Sequence, residues 1–243
     1  MCGMPNPPAR RAAPDWLLDE VASAGRENLD AAHVARYDGK EDAQAAEEVA
    51  LLRRLGLGDT SVVLDVGAGT GQFTLAVAPA CARVVAVDVS PVMLDLLRAK
   101  VADAGATNVT VVQAGFLTYE HTGDPVDVVY SRYALHHLPD AWKAVALTRL
   151  RRMLRPGGLL RLWDVVYDFG PEEAEERFEA WCATSGDGVV GEWSRAEIAE
   201  HPRDEHSTFT WLLEPMLERA GFDIDDAVHS PDGFFCRYVL RAR

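Results

Sequence analysis

No apolar run in this chain approaches the ~20 residues a membrane span requires, and its opening, MCGMPNPPARRAAPDW, has no apolar signal core. Cysteine is scarce and scattered. Cys2, Cys81, Cys182 and Cys236 lack metal-ligand spacing and read as free thiols in a reducing compartment, which sets the expectation of a cytoplasmic protein. Basic charge is also short, with 24 Lys and Arg against 38 Asp and Glu and a formal net charge of -14. Phosphate backbones are gripped mainly by Lys and Arg, so no nucleic-acid partner is expected. The acidity itself reports on solubility rather than fold. There is no internal repeat and no heptad array, and neither a membrane nor a metal is expected as a partner. A monomer or homodimer is expected.

What is present is enough apolar material for a substantial core: 48% hydrophobic residues over 243 positions. Residues 1–14, rich in Pro, Ala and Arg, read as a disordered tail, and residues 15–243 as one domain. Helical spacing covers residues 16–24 and 41–55, the second stopped at Gly56, so that residues 15–57 form an N-terminal helical segment. From residue 61 the pattern alternates: strand 61–66, helix 71–79, strand 83–88, helix 91–104, strand 108–113, strand 126–130, helix 140–154, strand 158–166. β-rich runs separated by helices imply parallel strands joined by crossovers. Residues 168–206 break the rhythm and read as a helical, substrate-side insertion, with helices at 171–183 and from Ser194, where SRAE forms a capping box. An amphipathic helix over 207–220 follows, stopped by Gly221, with Pro215 predicting a kink or an earlier start. Runs at 222–229 and 234–241, joined by SPDG, predict a closing antiparallel hairpin. The fold class expected is α/β: a doubly wound, seven-stranded, mostly parallel sheet with a C-terminal antiparallel hairpin.

The most informative stretch is VVLDVGAGTGQF, residues 62–73, where a β-branched run empties into Gly67, Gly69 and Gly71. Glycines at a strand-to-helix turn let a ligand approach the main chain closely. A dinucleotide fingerprint would read G-x-G-x-x-G; here the third glycine comes one residue early and Gln72 follows, which points away from NAD. Asp88 closes the second strand, placed to accept hydrogen bonds from both hydroxyls of a ribose. Asp65-x-Gly67-x-Gly69-x-Gly71, followed by VVAVDVS, DVVYSRYALHHLPD and RMLRPGGLLRLWD in that order, resembles the class I methyltransferases that use S-adenosylmethionine (SAM), of the small-molecule type.

The resemblance implies SAM as cofactor, held by Asp65, Gly67, Ala68, Gly69, Thr70, Gly71, Asp88, Val89, Met93, Gly115, Phe116, Ser131 and Arg132, with Tyr37 laid over it from the N-terminal segment. Val89, Met93 and Tyr37 read equally as core residues. Pro156, Gly157 and Gly158 are expected to make a tight structural turn. One departure stands out: many methyltransferases carry an acidic residue just after the third strand that binds the adenine amino group, and this chain has Gly115-Phe116 there.

On the substrate side, His136 after the fourth strand is the candidate base or substrate contact, with His137 given a capping or packing part. Tyr133, Glu205, His206 and Trp211 are candidates for a substrate wall. His201, His206 and Glu205 do not have the spacing of an H-E-x-x-H metal face. No N-P-P-Y, D-P-P-Y or Pro-Cys motif is present, so methylation of nucleobases is not indicated. The expected function is methyl transfer to an O, N or C atom of a small organic metabolite. Two alternatives remain open at this point: a protein of this fold that binds SAM without methyl transfer, as a regulatory module or cyclase, and a nucleotide-dependent oxidoreductase.

Overall fold

The computed structural model describes residues 14–25, 27–40, 44–184 and 193–243. The tail expected at residues 1–14 therefore lies outside the described residues apart from Pro14, as do Cys2 and the middle of the insertion. In chain order the elements are α1 (Ala31–Lys40), α2 (Ala45–Arg54), β1 (Val62–Val66), α3 (Gln72–Val77), β2 (Arg83–Asp88), α4 (Pro91–Asp103), β3 (Val109–Gln113), β4 (Val126–Arg132), α5 (Asp140–Met153), β5 (Leu154–Tyr167), α6 (Ala174–Ala183), α7 (Arg195–Asp204), β6 (Thr208–Phe209), α8 (Thr210–Ala220), β7 (Phe222–His229) and β8 (Phe235–Ala242).

The strands run in the order β3-β2-β1-β4-β5-β8-β7, parallel from β3 through β5 and antiparallel across β5-β8 and β8-β7. This is the expected seven-stranded path with its closing hairpin, and the short β6 adds to β5 beside it. The central strands are apolar on both faces because helices cover both. Leu64, Val85 and Leu160 pack with Leu147, Leu150, Leu213 and Leu217 of α5 and α8 on one side. Val63, Val84 and Val128 pack with Leu52, Phe73 and Val77 of α2 and α3 on the other. A buried ion pair ties the second layer to the sheet: Arg161 on β5 donates from Nε and Nη2 to the Glu48 carboxylate on α2, at 2.6 and 2.7 Å.

Four local expectations are corrected. Residues 16–24 form turns, not a helix, because the Asp19 carboxylate takes the N–H groups of Val21 and Ala22 and closes the chain on itself. The first helix is instead α1, whose start is marked by Asp30 accepting the N–H of His33 at 2.8 Å. Pro156, Gly157 and Gly158 lie within β5 as a bulge against β4, with Val126 paired to Leu154 and Val128 to Leu159. The helix expected from residue 207 begins at Thr210, since Thr208 and Phe209 extend the sheet. The capping box at Ser194 forms as expected, with Glu197 and Ser194 exchanging hydrogen bonds.

Candidate active site

β1 lies where the strand order reverses, with β2 on one side and β4 on the other, so the crevice at their carboxyl ends is the natural ligand site of such a sheet. A cleft of about 620 Å³, counted out to its mouth, opens there. Its floor is the glycine loop. Gly69 has φ +53° and open space where a Cβ would stand, so the main chain is bare toward the cleft. Gly67 is required for packing, since a Cβ there would come 2.3 Å from that of Ala134.

Asp88 stands at the end of β2 with its carboxylate on the cleft. Oδ2 accepts the N–H of Gly69 and Oδ1 that of Ser90, both at 2.8 Å. Ser90 in turn caps α4 by accepting the N–H of Met93. Val89 and Met93 line the cleft beside it, as do Gly115 and Phe116 beyond β3, Arg132 at the end of β4 and Tyr133 just after it. Tyr133 is held at φ +49°, a conformation uncommon outside glycine. Its ring packs on Trp163 and Phe235, and the Arg132 guanidinium lies over it. Tyr37 reaches the cleft from α1. The same helix is pinned to the glycine loop by Asp38, which accepts from Thr70, Gln72 and Lys100.

Several expected site residues stand elsewhere. Asp65, Ala68, Thr70, Gly71 and Ser131 do not line the cleft. Asp65 is buried under the loop, accepting the Thr74 hydroxyl at 2.5 Å, and burial followed by the nearby Asp88 charge raises its pKa to about 7. Thr70 is turned toward Asp38. Gly71 leaves room for Leu97, whose Cδ1 would be 2.1 Å from a Cβ there. Trp211 is 56% exposed on the outer surface, stacked on Phe209. His206 acts through its main chain, its N–H on the His136 carbonyl and its own carbonyl on Lys143.

The histidine pair is reversed relative to expectation: His137 lines the cleft and His136 does not. His136, 3% exposed, is clamped between two carboxylates, Nδ1 at 2.5 Å from Asp164 and Nε2 at 3.3 Å from Glu205. Burial alone would depress its pKa, but Asp164 and Glu205 raise it to about 10. Glu205 also takes His201, and these bonds outweigh burial and hold it well below the usual carboxylate range. His137 is pushed down to about 3 by burial and then by the positive charge of His136. The ligand atoms of His136, His201 and Glu205 lie within 4.8 Å of one another. Each is engaged in a hydrogen bond within this chain of side chains.

Sequence reasoning passed over Asp164 and Glu20. Asp164, in LLRLWDVV, is a lone acid in a buried strand, which is a usable signal. It accepts the N–H groups of Leu135 and His136 and so orders the turn that carries both histidines. Glu20 lies in the cleft wall next to Gly115 with no motif around it.

A doubly wound sheet with a bare glycine loop, a strand-end carboxylate 19 residues beyond Gly69, and a cleft over both is the arrangement of the Rossmann-like class. Comparison with known proteins narrows this. A methyltransferase-domain profile matches residues 63–158. An uncharacterized methyltransferase of Anoxybacillus flavithermus is 30% identical over 165 residues, 68% of this chain and 70% of that one. With other curated methyltransferases, such as one of Geobacillus kaustophilus at 32% identity, the match spans about half the relative's length, 47%. Among solved structures, the SAM-bound magnesium protoporphyrin IX methyltransferase of Synechocystis is similar in fold, with a TM-score of 0.64, 15% identity, and coverage of 95% of this chain and 100% of that one. The cyclase SpnF is likewise similar in fold, with a TM-score of 0.61, 18% identity and coverage of 82% and 80%. The chain belongs to the methyltransferase family, and it shares the fold of solved SAM-dependent methyltransferases.

Proposed function

We propose that the protein moves the methyl group of SAM to an O, N or C atom of a small organic metabolite by in-line displacement. The cofactor supplies a methyl group already activated by its sulfonium. This chain's residues then have to hold the donor, hold the acceptor in line at ~3 to 3.5 Å, and exclude water. Gly67 and Gly69 offer bare main chain to the amino acid portion, Asp88 offers its carboxylate to the ribose, and Met93 and Phe116 offer apolar surface to the base. Tyr37 and Tyr133 close the walls from α1 and β4.

The observation that carries the acceptor side is His137, a cleft-lining imidazole kept neutral by burial and then by the charged His136 behind it. A histidine with so low a pKa is a poor proton acceptor at neutral pH but a good hydrogen-bond partner. It orients the nucleophile and does not titrate with it. A concave cleft in a protein of net charge -14 suits a small molecule better than a nucleic acid. The test is incubation with methyl-labelled SAM and a metabolite extract of the native host, read by mass detection of labelled products and of S-adenosylhomocysteine.

A second reading, SAM binding without methyl transfer, draws on Gly115 standing where many of these enzymes carry an acid. The likeness of fold to a cyclase is compatible with it. Tight SAM binding with no S-adenosylhomocysteine formed from any extract fraction would decide for this reading.

A further inference from the structure

We propose that Glu20 is the adenine-specificity residue of this cleft, its carboxylate accepting the exocyclic amino group in the place left by the missing acid at Gly115. The inference rests on SAM being the cofactor and goes beyond it by assigning recognition of the base to a residue 95 positions upstream of Gly115. A Cβ built on Gly115 would lie 2.3 Å from Glu20 Oε1, 2.4 Å from its Cδ and 2.6 Å from Oε2. The carboxyl group of Glu20 therefore fills the volume that a side chain at 115 would enter. Only glycine at 115 admits it.

The carboxylate also makes the local bonds that a short acidic side chain at the start of this turn would make for itself. Oε1 accepts the N–H of Leu117 at 3.1 Å and Oε2 accepts the Thr118 hydroxyl at 3.0 Å. Thr118 Oγ1 in turn accepts the N–H of Gly115 at 2.9 Å. Glu20 is 7% exposed yet borders the same cleft as Asp88, Met93 and Phe116. A carboxylate has about four acceptor positions; the main-chain N–H groups of Phe116 and Thr118 also bear on this one, so an incoming N–H would reach it from the cleft side that Glu20 lines. The segment reaches this point because Leu17 and Leu18 pack onto the main core and the Asp19 turn reverses the chain just there. An amino group at position 6 of a purine satisfies such an acceptor. A 6-keto oxygen in its place would face it with a second acceptor.

Calorimetry with S-adenosylhomocysteine and its inosine counterpart tests this on the intact protein. Wild type is expected to prefer the adenosine ligand by about 10-fold or more, the effect of a hydrogen bond to a charged group. Glu20→Ala should lose that preference, with the inosine ligand bound no more weakly than before. Glu20→Ala combined with Gly115→Asp should recover it, because the carboxylate returns from the neighbouring position. Equal wild-type affinity for the two ligands overturns the proposal without any variant. So does a folded Glu20→Ala protein, checked by circular dichroism, that keeps its preference. If wild type binds neither ligand, the cofactor assignment itself falls and the assignment of Glu20 falls with it.

Discussion

Asp65 and Asp88 are two carboxylates at neighbouring strand ends, and their surroundings give them different work. Asp88 faces the cleft with two main-chain donors, so Asp88→Ala should weaken SAM binding by about 1.5 to 3 kcal/mol, measured by calorimetry. Asp65 is sealed in, with one hydroxyl donor and a pKa near 7. In the unfolded chain it releases its proton near 3.8, so between these values the folded state binds the extra proton and stability falls as pH rises. Asp65→Asn should remove this decline, gaining about 1 to 3 kcal/mol over wild type by pH 8 and little at pH 4, as read from denaturant unfolding at each pH. His137→Ala should lower turnover tenfold or more, with SAM affinity changed less than about twofold. Because His137 is neutral far below pH 6, the wild-type rate should show no inflection near 6.5. The tandem histidines were legible as a feature of the site. Which of them faces the ligand was not, because that depends on Asp164 and Glu205, 28 and 69 residues beyond His136.

At the level of elements, β1, β2, β4 and β5 were readable because each is a largely buried apolar run, and the hairpin because SPDG marks its turn. The N-terminal segment was misread where helical spacing competed with an aspartate turn, and α1 was missed although Asp30 marks its start. The link between α2 and β5 was invisible, since Glu48 and Arg161 look like surface charges until the packing buries both. Removing one partner leaves the other charge buried, so Glu48→Ala should cost about 3 to 5 kcal/mol of stability. Replacing both residues by Met should cost less than either single change, and a double-mutant cycle from chemical denaturation checks it.

Across the whole molecule, the cleft is assembled from parts far apart in sequence: Glu20 and Tyr37 ahead of the sheet, Asp88 within it, and His137 backed by Glu205 from the insertion. A ligand bound there stabilises all of these against unfolding together. A saturating excess of SAM, at ~100 times its Kd, should add about 2.7 kcal/mol and raise Tm in one cooperative calorimetric transition. Two transitions, only one of them shifted, would divide the chain that was expected to fold as a single domain over residues 15–243.

The chain by itself determined the alternation of strands and helices, the glycine loop and the carboxylate at the end of the second strand. These are local: a turn against a ligand demands glycine within a few residues, and a buried parallel strand demands an unbroken apolar run. Only the tertiary structure decided which histidine meets the cleft, that Glu205 lies behind it, and that Glu20 fills the space beside Gly115. Burial and charge act through space, and no spacing along the chain records which carboxylate will end up next to which imidazole or glycine.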